Sequence, residues 1–242
     1  MSRKTISENQ SRYLTCERRG VYQLLMISGG MMGAYTYMLR GGVFCNAQTA
    51  NFVLMAMAMG QGDWTGGLYY LIPISAYIAG AFVSEPLPTS VRKIGLLRWD
   101  TCLIGAEILV LFIIGFIPLT MTDRIVQVMI NFICSMQYNT FRQAEGIPMA
   151  TTFCTNHVRQ IGICLAKYAR HRDTAVLQRS LTHLSMVLCF LGGGIILTAF
   201  CVVLQERAIW IAMLPLLADF VILAHADIFQ EHDRLGQKPA GH

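Results

Sequence analysis

Charged residues are scarce in this chain. Aspartate, glutamate, lysine and arginine make up only 14% of its 242 residues, whereas 54% are hydrophobic. A soluble domain usually carries about 25% charged residues. The deficit excludes an ordinary soluble domain and, with the long uncharged runs, predicts a protein that crosses a bilayer several times. The net charge of +5 lies in clusters beside the apolar runs, which is typical of membrane topology rather than of nucleic-acid binding.

Paired cysteine motifs and enzyme motifs are also missing. The eight cysteines form no CxxC pair, and all but Cys16 lie in apolar segments, so we interpret them as small packing residues rather than disulfide or zinc ligands. The chain has no HExxH, no GxSxG and no phosphate-binding glycine loop. We therefore expect no enzyme, no cofactor and no metal site.

Six apolar runs are about long enough to span, because helices rise about 1.5 Å per residue and the hydrocarbon core is about 30 Å thick. They are Val21–Leu39, Leu68–Ser84, Trp99–Leu119, Ile125–Phe141, Leu181–Leu204 and Ala208–Ala226. Two further runs, Val43–Gly60 and Ile147–Leu165, are about as long but begin with polar motifs. These two either span, which gives eight helices, or enter and return as re-entrant segments.

Basic residues favour the re-entrant alternative. They cluster in the amino terminus (Arg3, Lys4, Arg12, Arg18, Arg19), in the loop 85–98 (Arg92, Lys93, Arg98) and in the loop 166–180 (Lys167, Arg170, Arg172, Arg179). Six spans place all three clusters and both termini on the cytoplasmic side, as the positive-inside rule requires. Eight spans would place the loop 85–98 outside.

The predicted fold class is therefore an all-α membrane protein with six transmembrane helices and two re-entrant or discontinuous helical segments. Residues 1–20 form a cytoplasmic amino-terminal segment without a cleavable signal sequence, 21–226 a single transmembrane domain, and 227–242 a polar tail. The halves of the domain, about 21–119 and 125–226, each consist of a span, a re-entrant segment and two spans. Because three spans is an odd number, we expect an inverted 3+3 repeat. The matches that support it are Gly41 with Gly146, Asn51 with Asn156, Gly80 with Gly193, and Glu107 with Asp219.

Polar side chains of the two motifs predict a solute path, because polar groups at membrane depth normally face a cavity or a polar partner. The candidates are Asn46, Gln48, Thr49 and Asn51 in the first motif, Thr151, Thr152, Thr155 and Asn156 in the second, and Gln137 and Asn139 on the fourth span. Alternatively, the two motif asparagines cap the helices that follow them. The polar residues of the fourth span, which also carries Gln127 and Asn131, could equally join helices by hydrogen bonds.

Ionisable residues near the path have two interpretations each. Glu107 and Asp219 are the only acidic residues well inside an apolar run, which suits proton coupling or a cation ligand; the alternative is a structural hydrogen bond to a neighbouring helix. Arg159, beside the second motif, either attracts an anion or extends to the cytoplasmic surface, and we favour the surface.

The segments Gly29–Tyr37 and Gly41–Asn51 resemble the first signature of the YoaK family of bacterial inner-membrane proteins, and Pro148–Asn156 resembles its second. Glu107, in an apolar helix after Arg98-Trp99, also matches. The resemblance extends over about Arg19 to Asp227 and implies a multi-pass protein of the bacterial inner membrane, without an activity. The chain departs from the family at Gly33, where an acidic residue is common, and at Ala50 and Thr155, where the family has glycine.

The leading functional hypothesis is a transporter or channel for a small solute. Its alternative is a non-transporting scaffold or accessory protein with a dry polar core. An intramembrane enzyme acting on lipid has the least support, since no nucleophile–base or metal set is apparent. The expected partners are the lipid bilayer and a small-molecule or ion solute, with no nucleic acid, and the sequence is compatible with a homo-oligomer.

Overall fold

A computed structural model of the chain describes residues 13–91 and 96–239. The basic residues Arg3, Lys4, Arg12, Arg92 and Lys93, on which the topology partly depends, lie outside the described residues. The described chain is mostly helical, and the all-α fold class is confirmed. Its α-helices are α1 (Arg19–Leu39), α2 (Gln48–Gly60), α3 (Trp64–Tyr69), α4 (Leu71–Ser84), α5 (Leu87–Val91), α6 (Trp99–Ile114), α7 (Asp123–Thr140), α8 (Thr155–His171), α9 (Thr174–Leu204) and α10 (Met213–His225).

Short elements connect and extend these helices. 3-10 turns cover Thr15–Glu17, Gln205–Ala212 and His232–Arg234, and a π-helical turn covers Ala226–Gln230. Strands β1 (Gln143–Ala144) and β2 (Ile147–Pro148) form an antiparallel hairpin in which Gln143 lies opposite Pro148.

Two helical stretches, Trp64–Val91 and Thr174–Gln230, are long and apolar enough to cross a membrane. They contain three of the six predicted runs, and their surfaces carry highly exposed apolar side chains such as Phe82 and Val203. The other three runs form α1, α6 and α7, of which α6 has only 16 residues and α7 is the most polar. The six-span topology therefore stays a prediction.

Packing between the helices follows a regular pattern. The most extensive contacts join α1 to α9 and α4 to α7, and α6 packs against α10. Glycine permits the two closest crossings: a Cβ atom at Gly193 of α9 would collide with the carbonyl oxygen of Ile27, and one at Gly80 of α4 with that of Phe132. Such close backbone contact is what small residues provide in helix pairs without a hydrophobic driving force.

Both polar runs consist of an extended segment followed by a helix. Gly41 has φ +76° and Gly146 has φ +78°, in the left-handed region that glycine adopts without steric cost. The chain turns at each of these glycines, passes through non-helical residues and enters α2 at Gln48 or α8 at Thr155. The polar motifs are thus discontinuous helical segments, as predicted, and each supplies several non-helical residues to the interior.

The predicted polar tail is anchored at its beginning. Asp227 is buried and accepts hydrogen bonds from the backbone N–H of Arg98 at 3.0 Å and from the Thr101 hydroxyl at 2.6 Å. Glu231 accepts two bonds from Thr15, from its N–H and its hydroxyl, each at 2.9 Å. The segments next to the two ends of the described chain are therefore held to the same face of the helix bundle.

Candidate functional site

The two extended segments meet at Gly29, in the middle of α1. The buried Asn46 side chain donates its Nδ2 to the Gly29 carbonyl oxygen at 2.9 Å. From the other segment, the carbonyl oxygen of Thr151 lies 2.9 Å from where a Gly29 Cβ atom would be. The structure thus brings together Asn46 and Thr151, which the sequence placed in different halves.

Hydrogen bonds of the Asn51 side chain hold the first extended segment against α2. Its side chain is fully buried, accepts the backbone N–H of Phe44 at 3.0 Å, and donates to the Phe44 carbonyl at 2.7 Å and to the Gln48 side chain at 3.0 Å. No side chain caps α2 at its N-cap residue, Ala47. Asn51 therefore does not cap α2. Its side-chain amide instead hydrogen-bonds the backbone N–H and carbonyl of Phe44 in the extended segment.

A chain of hydrogen bonds continues from Gln48 along α7. Gln48 Nε2 donates to Asn131 Oδ1 at 2.9 Å, Asn131 donates to the Gln127 carbonyl at 2.8 Å, and Gln127 Nε2 donates to the Arg40 carbonyl at 2.7 Å. For Gln48, Gln127 and Asn131, the structure therefore supports the interpretation as helix-joining hydrogen bonds.

In the second half, His157 rather than Asn156 does what Asn51 does in the first. The His157 ring is buried and its Nε2 lies 2.8 Å from the Ala150 carbonyl, seven residues back, just as Asn51 reaches back seven residues to Phe44. Facing a carbonyl, this nitrogen must carry a proton. The other ring nitrogen, Nδ1, lies 3.0 Å from Nδ1 of His183 on α9, so in the neutral pair His183 is the donor. Asn156, the predicted match of Asn51, instead accepts a hydrogen bond from Arg159, and the inverted repeat stays a prediction.

Asn139 and Asn156 line a vestibule of about 420 Å³, together with Arg142, Met149 and Ala150. Asn156 is half-buried and accepts a hydrogen bond from Arg159 at 2.9 Å. Asn139 donates to Ser84 Oγ at 2.8 Å at the end of α4. Both asparagines therefore stand at an opening, whereas Asn51 does not.

Fully buried polar groups lie on the chain next to this vestibule. The Gln137 amide and the Thr151 hydroxyl have no hydrogen-bond partner within the described residues. Thr152 is buried as well. Thr49 and Thr155, by contrast, lie at the exposed starts of α2 and α8 and do not join the other candidates.

Glu107 and Asp219 are both completely buried where α6 packs against α10. None of their four carboxylate oxygens has a hydrogen-bond partner in the part of the chain that the structure describes. The predicted structural hydrogen bond to a neighbouring helix is absent for both residues there. No group of three histidine, cysteine or acidic residues across 13–91 and 96–239 could hold a metal ion.

Several important residues were not among the predicted site. Arg142, in the short loop after α7, and His183, on α9, are not among the residues that the sequence predicts for the site. Arg40 is completely buried at the end of α1, where it donates to the Tyr35 hydroxyl and to the carbonyls of Ile117 and Pro118. A charged residue directly after a long apolar run, as Arg40 is, was the available signal.

Alanine at Asn51 should destabilise the protein by about 2–4 kcal/mol, because two backbone groups of Phe44 and the Gln48 amide lose buried partners. The matched change at Asn156, which has one partner at an opening, should cost less than about 1 kcal/mol. Thermal unfolding of the two purified variants measures the difference. Equal thermal unfolding midpoints for the two variants would contradict the conclusion that the Asn51 hydrogen bonds hold the extended segment in place.

Comparison with known proteins identifies a family for this chain. A family described as a protein of unknown function (DUF1275) matches residues 21–222. The match covers most of the chain and includes both polar motifs, Glu107 and Asp219, and it confirms the resemblance to an uncharacterised family. Searches among curated proteins and solved structures gave no match. The chain belongs to the DUF1275 family, whose function is unknown.

Proposed function

We propose that this protein is an inner-membrane transporter or channel for a small solute, and not an enzyme. The observation that carries the proposal is a vestibule lined by Tyr138 and Ala150, whose neighbours in the chain, Gln137 and Thr151, are buried polar residues without hydrogen-bond partners among the described residues. Inside a membrane each such group costs several kcal/mol unless something satisfies it. Water or solute entering from the vestibule would do so. In this proposal the chain has six spans, and both termini lie in the cytoplasm.

The packing pattern supports an inverted repeat. If the spans of the first half are α1, α4 and α6 and those of the second α7, α9 and α10, exchanging the halves turns the α1–α9 contact into the α7–α4 contact. The α6–α10 contact is unchanged. The residues at the two glycine crossings also correspond. Gly193 approaches the carbonyl of Ile27, and Gly80 approaches the carbonyl of Phe132. The repeat matches Gly80 with Gly193, and the shift that matches Gly41 with Gly146 also matches Ile27 with Phe132.

A second opening supports the same symmetry. A groove of about 640 Å³ between α1 and α9 is lined by Gly33, Ala34, Tyr37 and Phe44, among others. The repeat matches Gly33, Ala34 and Tyr37 with Tyr138, Asn139 and Arg142, and Phe44 corresponds to Ala150 by the contacts of Asn51 and His157; all four of these counterparts line the vestibule. In the predicted topology the vestibule faces the cytoplasm and the groove faces the other side. Two related openings on opposite sides of a central site are the arrangement that alternating access uses.

Glu107 and Asp219 suit the coupling step of such a transporter. They belong to the last span of each half, on helices α6 and α10, which pack against each other. Two carboxylates in an apolar surrounding cannot both be charged at low cost, so the pair favours holding a proton. We assign proton coupling to this pair.

Thiol labelling tests the proposal. In a cysteine-free background, cysteine at Asn139 should react with an impermeant thiol reagent only from the cytoplasmic side, because Asn139 lines the vestibule. Cysteine at the matched position Ala34 should react only from outside, because Ala34 lines the groove. Intact cells and inverted vesicles provide the two orientations. Cysteine at Asn51, which is completely buried, is the unreactive control.

The scaffold alternative draws on a different observation. The hydrogen bonds through Gln48, Asn131 and Gln127 link protein groups to one another and leave only the Gln127 side-chain oxygen of these three amides without a partner among the described residues. A dry core of this kind needs no solute. Failure of both Asn139→Cys and Ala34→Cys to react in folded protein would favour the scaffold and reject the transporter.

A further inference from the structure

We infer that the vestibule binds a small anion, and that it does so from the cytoplasmic side. The inference rests on the proposed function and names the class of its solute. The chemistry concerned is that of a compact negative group, such as a carboxylate or phosphate. The volume of about 420 Å³ lies within the range of ligand sites, about 300–1,000 Å³.

Arg142 supplies a fixed positive charge at the vestibule. Its Nε donates to the Asn139 carbonyl at 2.6 Å and its Nη2 to Asn139 Oδ1 at 2.7 Å, so the guanidinium is held against the end of α7. Its side chain remains 32% exposed. An arginine whose orientation is already set loses little further freedom when it binds a carboxylate or phosphate.

A second basic group comes from α8. Arg159 donates to Asn156 Oδ1 at 2.9 Å, and Asn156 lines the vestibule. At 3.6 residues per turn, Asn156, Arg159, Lys167 and Arg170 fall along one face of α8, and this 17-residue helix has no acidic residue. The face therefore forms a positive stripe from the vestibule to the end of α8. A cleft lined by charges of one sign concentrates ions of the opposite sign.

Glu85 is the acidic group that faces this site. Its Oε2 lies 3.0 Å from Arg142 Nη2 and 3.1 Å from Asn139 Nδ2, and its side chain is 68% exposed. A carboxylate in that position already occupies the geometry that an anion would take. Since an exposed pair of this kind contributes at most about 1 kcal/mol, an incoming anion can displace Glu85.

The matched groove on the other side lacks these charges. The repeat matches Tyr37 of the groove with Arg142 of the vestibule, and Ala34 of the groove with Asn139 of the vestibule. The groove is otherwise apolar, with leucine, isoleucine and phenylalanine side chains of α9 along it. The same fold position is therefore basic on one side and uncharged on the other, which makes anion binding one-sided.

Binding to the purified full chain in phosphatidylcholine nanodiscs tests the inference. The probes are phosphate, acetate and chloride at constant ionic strength, and the readout is the shift in thermal midpoint with anion concentration. We expect at least one probe to stabilise the protein. Arg142→Gln should weaken its apparent affinity at least about tenfold, the effect of losing one charge-assisted hydrogen bond. Glu85→Gln, which removes the competing carboxylate, should strengthen it several-fold.

Matched controls separate the site from general charge effects. Arg142→Lys keeps the charge and should retain part of the affinity, which shows that a weak Arg142→Gln variant has not simply misfolded. Arg124→Gln removes a cation from the opposite end of the same helix, where it stacks on Tyr69, and should change nothing. An equal loss of affinity in Arg124→Gln would overturn the inference.

Two further comparisons distinguish a lipid headgroup from a free anion, and a failure of the anion inference from a failure of the proposed function. If only nanodiscs containing phosphatidylglycerol stabilise the protein through Arg142, the negative group belongs to a lipid headgroup and the solute assignment is rejected. If none of the free anions stabilises the protein, the solute assignment is rejected as well. Because this assay measures binding, labelling of Asn139→Cys from the cytoplasmic side would still support a transport path. In that case the proposed function would stand with another solute.

Discussion

Replacing Gly193 by alanine should destabilise the protein, whereas the same replacement at the neighbouring Gly192 should stabilise it or leave it unchanged. At Gly193 the new methyl group would collide with the carbonyl oxygen of Ile27, so α1 and α9 must separate. At Gly192 nothing lies within 4 Å of the added atom. Alanine is favoured over glycine inside a helix by about 0.5–1 kcal/mol, and overpacking costs about 1–3 kcal/mol. Because both variants gain the helix preference of alanine, they should differ by the overpacking cost alone, about 1–3 kcal/mol.

Thermal unfolding in detergent, read by fluorescence-detected size exclusion, measures this difference. Gly80→Ala serves as a third variant because its added methyl would collide with Phe132 in the matched crossing of α4 and α7. It should resemble Gly193→Ala. If Gly193→Ala and Gly192→Ala unfold at the same temperature, the helices do not cross as closely as described.

Glutamine at Glu107 should abolish the pH dependence of transport while the protein stays folded. Glutamine has nearly the same shape, and Glu107 has no described hydrogen bond that the change would break. A single titrating group makes a rate change by up to about tenfold per pH unit, and the amide cannot titrate. Proton movement in proteoliposomes, followed with entrapped pyranine at several pH values and with acetate, phosphate or chloride as the added solute, gives the profile.

Asp219→Asn is the partner variant for this experiment. Because the two carboxylates interact, the double variant should lose little more than Glu107→Gln alone. A Glu107→Gln protein that keeps the wild-type pH profile would remove Glu107 from coupling. Purified protein without reconstitution supplies the folding control, through its thermal midpoint.

The sequence predicted the breaks in the fold better than the contacts across them. Gly41 and Gly146 mark the turns because a left-handed backbone needs glycine, and that requirement is local. Asn156 was predicted to correspond to Asn51. The residue that makes the similar contact is His157, because one more residue separates it from the turn at Gly146 than separates Asn51 from the turn at Gly41. Only the path of the extended segment reveals that His157, and not Asn156, reaches back to Ala150.

Charged residues illustrate the same limit. Glu107 and Asp219 were visible as acids in apolar runs, but their position on facing helices depends on packing between distant segments. Arg142 escaped notice because a basic residue in a short loop is ordinary in a sequence. Its importance comes from the vestibule beside it and from Asn139, which holds it. The number of spans also could not be derived, because α6 and α7 lack either the length or the apolar character of an independent membrane helix.

The crossed packing of the halves has a consequence for how the protein is made. The most extensive contacts of α1 are with α9, which follows it by more than a hundred residues in the chain. While the ribosome is still synthesising the helices before α9, α1 is without its main partner. Assembly of the core must therefore wait until α9 has been synthesised, and until then the glycine surface of α1 is uncovered. A chain truncated before α9 would leave that surface uncovered, however well its own helices had formed.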